Sequence, residues 1–123
     1  MTKVRGIRGA TTAEANTREA ILAAAKELME ALIEANDIDP DDVASAIFTT
    51  TADLNAEFPA AAARLMGWTH VALMGAREVD VPDAPERCIR VLIHINTDKS
   101  AQELRNIYLH GAGDLRSRGA DAG

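Results

Sequence analysis

Cys88-Ile89-Arg90-Val91-Leu92-Ile93-His94-Ile95 is the stretch on which the fold reading turns. Rich in β-branched residues and without Gly or Pro, it reads as a central strand. Side chains alternate faces along a strand, so Ile89, Val91, Ile93 and Ile95 form one wholly β-branched face. Cys88, Arg90, Leu92 and His94 form the other. The first face is core. A guanidinium on the second, flanked by Cys88 and Leu92, is costly to desolvate alone. Either a protein carboxylate or an anionic ligand is expected to meet Arg90.

Upstream of this strand, Asp80 to Arg87 is turn chemistry. His70 to Ala76 reads as a strand with Glu78 shortly after it. Pro59 suits the first turn of a short helix from Ala60 to Met66, which carries Arg64 and ends at Gly67-Trp68. Trp68 is read as a packing anchor. Ala44 to Thr51 reads as another strand. Asn16 with Glu19 resembles a capping box ahead of Ile21, Leu22, Ala25, Leu28, Met29, Leu32 and Ile33 at helical spacing. Lys3 to Thr11 is a first strand in which Gly6 and Gly9 allow close approach. Val4, Gly6, Arg8 and Ala10 share a face of it, and its position near the terminus suggests an edge. Downstream, Ser100 and Glu103 predict a capped helix with Leu104, Ile107 and Tyr108 on one face, ending near Gly111. A mobile tail is expected from about residue 112 to residue 123.

The 123 residues, 47% of them hydrophobic and 26% charged, suit one domain over residues 1–123. No apolar run is long enough to span a bilayer, and Met1 to Arg5 lacks the apolar segment of a signal peptide, so a cytoplasmic protein with no membrane partner is expected. A single cysteine excludes an intrachain disulfide, and Cys88, His70, His94 and His110 have no metal-ligand spacing. A net charge of −6 opposes nucleic-acid binding. Any anionic ligand should be small and locally held.

The residues alone offer Arg8, Arg64, Arg90, Glu78 and Tyr108 on or beside rigid elements, and no nucleophile with a neighbouring base. Cys88 reads as a packed small hydrophobe. On spacing, a structural Glu78–Arg90 ion pair competes with a binding or catalytic site, and both readings stand at this point.

Arg5-Gly6-Ile7-Arg8-Gly9-Ala10-Thr11-Thr12, Asp53 to Ala60, Arg77-Glu78-Val79-Asp80-Val81, Cys88-Ile89-Arg90-Val91, Tyr108-Leu109 and Leu115-Arg116 resemble, in order, the signatures of the AroH-type chorismate mutases. That resemblance implies an α/β fold (an α+β mixed sheet) in a homotrimeric pseudo-α/β barrel with active sites between subunits. It implies conversion of chorismate to prephenate by an isomerase that needs no cofactor. By the same resemblance Arg90 contacts the ether oxygen and a carboxylate, and Glu78 accepts from the substrate hydroxyl. Arg8 and Tyr108 bind carboxylates, and Phe58 is an apolar wall. Leu73 gives a backbone and packing contact, and Arg64 and Arg116 form a charged rim. Ala60, Met74, Gly75 and Leu115 complete the implied substrate-binding set. Ala61, Met74 and Gly75 depart from residues common in the family. A non-catalytic trimer holding a small carboxylate, or an enzyme acting on another dianion, are the rival readings.

Overall fold

The computed structural model describes residues 1–117. Strand β1 (Lys3–Thr12) leads to helix α1 (Arg18–Asn36), a 3-10 turn (Pro40–Asp42) and strand β2 (Val43–Thr50). Helix α2 (Ala60–Leu65), strand β3 (Ala72–Arg77) and strand β4 (Cys88–Thr97) follow. A 3-10 turn (Ala101–Glu103), strand β5 (Ile107–Tyr108) and a 3-10 segment (His110–Ser117) end the described chain. The five strands form one mixed sheet in the order β3-β2-β4-β1-β5, with β4 antiparallel to both β1 and β2 while β2–β3 and β1–β5 are parallel. No helix among the described residues is long and apolar enough to cross a membrane.

The β-branched face of β4 is the core, as its alternation predicts: Ile89, Val91, Ile93 and Ile95 are all buried. Ile7 of β1 and Ala46 and Phe48 of β2 lie on the same side, packed with Ile21, Ala25, Leu28, Met29 and Leu32 of α1. Trp68 is buried after α2 and serves as the expected anchor. Only one face of the sheet is covered in this way. Gly9 shows how tightly α1 sits: a Cβ there would lie 2.7 Å from Leu32 Cδ1 and 3.1 Å from Leu28 Cδ1.

Three local expectations are corrected. The N-cap of α1 is Thr17, whose hydroxyl accepts from the Ala20 N–H at 3.1 Å. Asn16 is taken up elsewhere: its side-chain oxygen accepts from the backbone N–H groups of Asn55 and Ala56, both at 3.0 Å. The Ser100–Glu103 capping box forms, but it caps a single 3-10 turn and not a helix. The reason is tertiary. Asn36 clamps both the N–H and the C=O of Arg105, at 2.7 and 3.0 Å, and Asn106 Oδ1 accepts from the Arg8 N–H at 2.9 Å. A short isolated helix is marginal, so these bonds win and the chain continues as β5 along β1. The first strand is therefore not at the edge of the sheet.

The segment after β5 is tied back to the body. Leu109 N–H donates to the Ala10 carbonyl at 2.9 Å, Gly111 N–H to the Thr12 hydroxyl at 3.1 Å, and His110 Nε2 lies 2.8 Å from Glu27 Oε1. Ala112 is buried with Ala10 and Cys88. Of the expected tail, residues 118–123 lie outside the described residues.

The α1–β1 contact sets a test. Gly9→Ala forces Leu28 and Leu32 outward, and overpacking of this kind costs about 1–3 kcal/mol. Urea unfolding at fixed protein concentration should show the loss, and an unchanged midpoint would show that α1 is free to shift.

Candidate active site

Arg90 sits in the middle of β4, half-buried on the uncovered face of the sheet. Register then decides its company. Arg90 lies opposite Ala10 of β1 and opposite Thr49 of β2, while its neighbour on the same face, Leu92, lies opposite Arg8 and Ile47. Tyr108 of β5 pairs with Ala10 and so stands on the same face one strand further out. Glu78 follows the end of β3, where its N–H donates to the Thr50 carbonyl at 2.9 Å. These residues line a cleft of about 270 Å³ whose wall comprises Arg8, Gly9, Ile47, Thr49, Glu78, Arg90, Val91, Leu92 and Tyr108.

The centre of the cleft is a two-pronged ion pair. Arg90 Nε donates to Glu78 Oε2 at 2.5 Å and Nη2 donates to Oε1 at 2.7 Å. The Thr49 hydroxyl donates to the same Oε2. Arg90 therefore meets a protein carboxylate, as one branch of the sequence reading required. The pair is not sealed: the Arg90 side chain keeps 33% of its exposure and Glu78 15%, so an anion in the cleft can still approach the guanidinium. The Arg90 hydrogen bonds, helped by Thr49, hold the Glu78 carboxyl below the usual glutamate range against the cost of burial. The Glu78 hydrogen bonds in turn raise Arg90 above the usual arginine value. Both groups are ionised at neutral pH.

Cys88, next to this pair, is buried and its thiol is pushed up to about 11 by desolvation. A thiol held protonated is no nucleophile, which agrees with its reading as a packed hydrophobe. The arrangement can bind an anion directionally and place one carboxylate and one phenol beside it. Among the described residues of the cleft, no side chain is paired with a base as a nucleophile.

The sequence-derived residues fall into groups. Arg8, Glu78, Arg90 and Tyr108 come together in the cleft. Leu115 lines an adjoining hollow with Val79, Val81, Pro85 and Cys88, on whose wall Glu78 and Arg90 also stand. Met74 is exposed on the strand next to Ile47 but does not line the cleft. Phe58, exposed, and Gly75 line a separate hollow on the same chain. Ala60 is buried in α2, Arg64 is exposed on it, and Leu73 packs against the core. The Arg116 side chain lies outside the described residues. Thr49 and Ile47 were not anticipated. Alternation along β2 puts Ser45, Ile47 and Thr49 on one face, but only pairing with β4 shows that this face holds Arg90.

Comparison with known proteins covers the same elements. A family model for type I chorismate mutases matches residues 4–118. A chorismate mutase AroH of Bacillus subtilis is 43% identical over 114 residues, which is 92% of this chain and 90% of the relative. One of Thermus thermophilus is 49% identical over 114 residues, 92% of this chain and 93% of the relative. The solved structure of a chorismate mutase from Clostridium thermocellum superimposes with a TM-score of 0.86 at 50% identity, covering 88% of this chain and 96% of that one. Because the match begins in β1 and runs past β5, it takes in every strand that furnishes the cleft, and the chain belongs to the type I chorismate mutase family.

Proposed function

We propose that this protein is an isomerase that rearranges chorismate to prephenate, on the route to phenylalanine and tyrosine, and that the cleft around Arg90 is where it does so. The observation that carries the reading is the Glu78–Arg90 fork standing with Arg8 and Tyr108 in one cleft, on a chain of this family.

Chorismate rearranges by an intramolecular Claisen reaction, in which an ether carbon–oxygen bond breaks as a carbon–carbon bond forms. No proton moves and no covalent intermediate is needed, so the reaction asks for neither a nucleophile nor a cofactor. Two tasks remain. The dianion must be held in its compact reactive conformer, which removes ordering cost from the barrier. Charge developing on the ether oxygen must meet fixed donors, which favours the transition state over the ground state. In this reading Arg90 faces the ether oxygen and a carboxylate, and Arg8 and Tyr108 hold carboxylate oxygens. Glu78 accepts from the ring hydroxyl and offsets positive character on the ring. A planar guanidinium suits Arg90's task because its donors are pre-oriented as a fork, which an ammonium lacks.

The same reading assigns Phe58, Ala60, Arg64, Leu73, Met74 and Gly75 to the far side of the site. These stand away from the cleft within one chain, so a second subunit has to present them. A homotrimer supports this, because head-to-tail contacts using two different patches close into a ring. The sheet face bearing the exposed Val4 and Met74 and the half-buried Ile47 and Leu92 is the apolar surface such contacts would cover. Leu115 approaches from the C-terminal segment, and the same reading assigns Arg116 to the charged rim. We place the enzyme in the cytoplasm.

Chorismate absorbance should fall with prephenate formed and no pyruvate released; pyruvate release, or no reaction, would remove this function. Arg90→Lys keeps the charge but loses the fork, and loss of one well-placed donor costs about 10²–10³ in kcat. A correctly assembled variant within tenfold of the parent would return Arg90 to a purely structural pair. Glu78→Gln should lower kcat while leaving assembly intact. Its effect on stability has a set pH window. Because the folded-state carboxyl titrates below the unfolded one, Glu78 contributes stability above about pH 4.3 that fades as pH falls through the lower folded value. The gap in Tm between parent and variant should therefore narrow in acid; a gap that is flat with pH would mean that the charge of Glu78 is not involved. Sedimentation equilibrium should return a trimer, and a fully active monomer would remove the two-subunit site.

A further inference from the structure

Strand β2 runs between β3, which leads to Glu78, and β4, which carries Arg90. The ion pair therefore bridges an intervening strand. Neighbouring strands lie about 4.8 Å apart, so the two backbones are about twice that distance from each other. The residue beneath the bridge is Thr49, paired with Ala76 on one side and with Arg90 on the other.

An arginine–glutamate fork fixes its two groups relative to each other, but both sit on long stems and the pair can swing as one unit. Thr49 restricts that freedom. It is short, β-branched and stiff at χ1, and its hydroxyl donates to Glu78 Oε2, the oxygen that also receives Arg90 Nε at 2.5 Å. A carboxylate oxygen has two lone-pair sites, so Oε2 is filled by protein donors. Oε1 receives Arg90 Nη2 at 2.7 Å, and the backbone N–H of Val79 also favours the charged carboxylate.

We propose that Thr49 is a positioning residue, which anchors the Glu78–Arg90 pair to the middle strand and so fixes how the Glu78 carboxylate faces the substrate hydroxyl. This rests on the function proposed above.

The test is kcat and KM on chorismate for Thr49→Val, which is nearly isosteric without the hydroxyl, and Thr49→Ser, which restores it. Carbon-13 titration of the Glu78 carboxyl, assigned with Glu78→Gln, runs alongside. Loss of a hydrogen bond to a charged group should lower kcat/KM about tenfold in Thr49→Val, mostly through kcat, with Thr49→Ser within about twofold of the parent. The Glu78 carboxyl should titrate at higher pH in Thr49→Val and return in Thr49→Ser. Arg90 and Thr49 are the side chains bonded to it, and Cys88, Tyr108 and Arg8 on the neighbouring strands are common to all variants. Parent-like kinetics and titration in Thr49→Val would overturn the proposal. Equal losses in Val and Ser variants would also overturn it, by assigning Thr49 to packing. If the Val variant fails to fold, Thr49→Ala takes its place. An inactive parent would instead overturn the proposed function, and the titration would still decide whether Thr49 holds Glu78.

Discussion

A guanidinium half-withdrawn from water has to be met by an anion, and the arrangement of this molecule follows from how Arg90 is met. Glu78 reaches it from across a strand, so the order β3-β2-β4 is as much a requirement of the pair as of the core. Breaking such a pair by removing one partner leaves an uncompensated charge, whereas replacing both by apolar groups is often neutral. Stability alone therefore gives little reason to keep it. Its place on the open side of the sheet, with Arg90 still partly exposed, leaves it within reach of a ligand.

The covered and open faces divide the work. Helices α1 and α2 and the β-branched face of β4 form a tightly packed slab, with Gly9 letting α1 lie against the strand. Arg8, Arg90 and Tyr108 stand on the other side of these strands, spaced by register, and Glu78 follows directly on the last residue of β3. Groups set on strands lose little by motion during a reaction, and a reaction driven by orientation and fixed donors has most to gain from that.

The core was legible because strand alternation is a strong local signal: a run of β-branched residues at every second position of β4 admits one buried face. Arg90 was legible as the exception within that pattern. The end of the chain was not. Ser100 and Glu103 carry a true capping box, and what cancels the helix is Asn36, more than sixty residues away in sequence, holding the Arg105 backbone. The start of α1 is settled in the same way, since Asn16 and Thr17 are both good caps and a distant loop claims Asn16. Thr49 lay hidden because alternation gives two faces but does not say which faces whom. The grouping of Arg8, Glu78, Arg90 and Tyr108 came from resemblance and not from spacing, and Phe58, Arg64 and Gly75 stand apart from it within one chain.

Among the described residues the first strand pairs only with the fourth and the fifth, and this has a kinetic consequence. During synthesis β1 is made before its partner β4, which follows only after α1, β2, α2 and β3. Non-local pairings of this kind slow folding, because loop closure is costly before any contact rewards it. α1 is the one large element able to shelter the apolar side of β1 in the interval. The close seat of its leucines over Gly9 then does more than fill space: it covers the apolar face of a strand whose two edges still wait for β4 and β5.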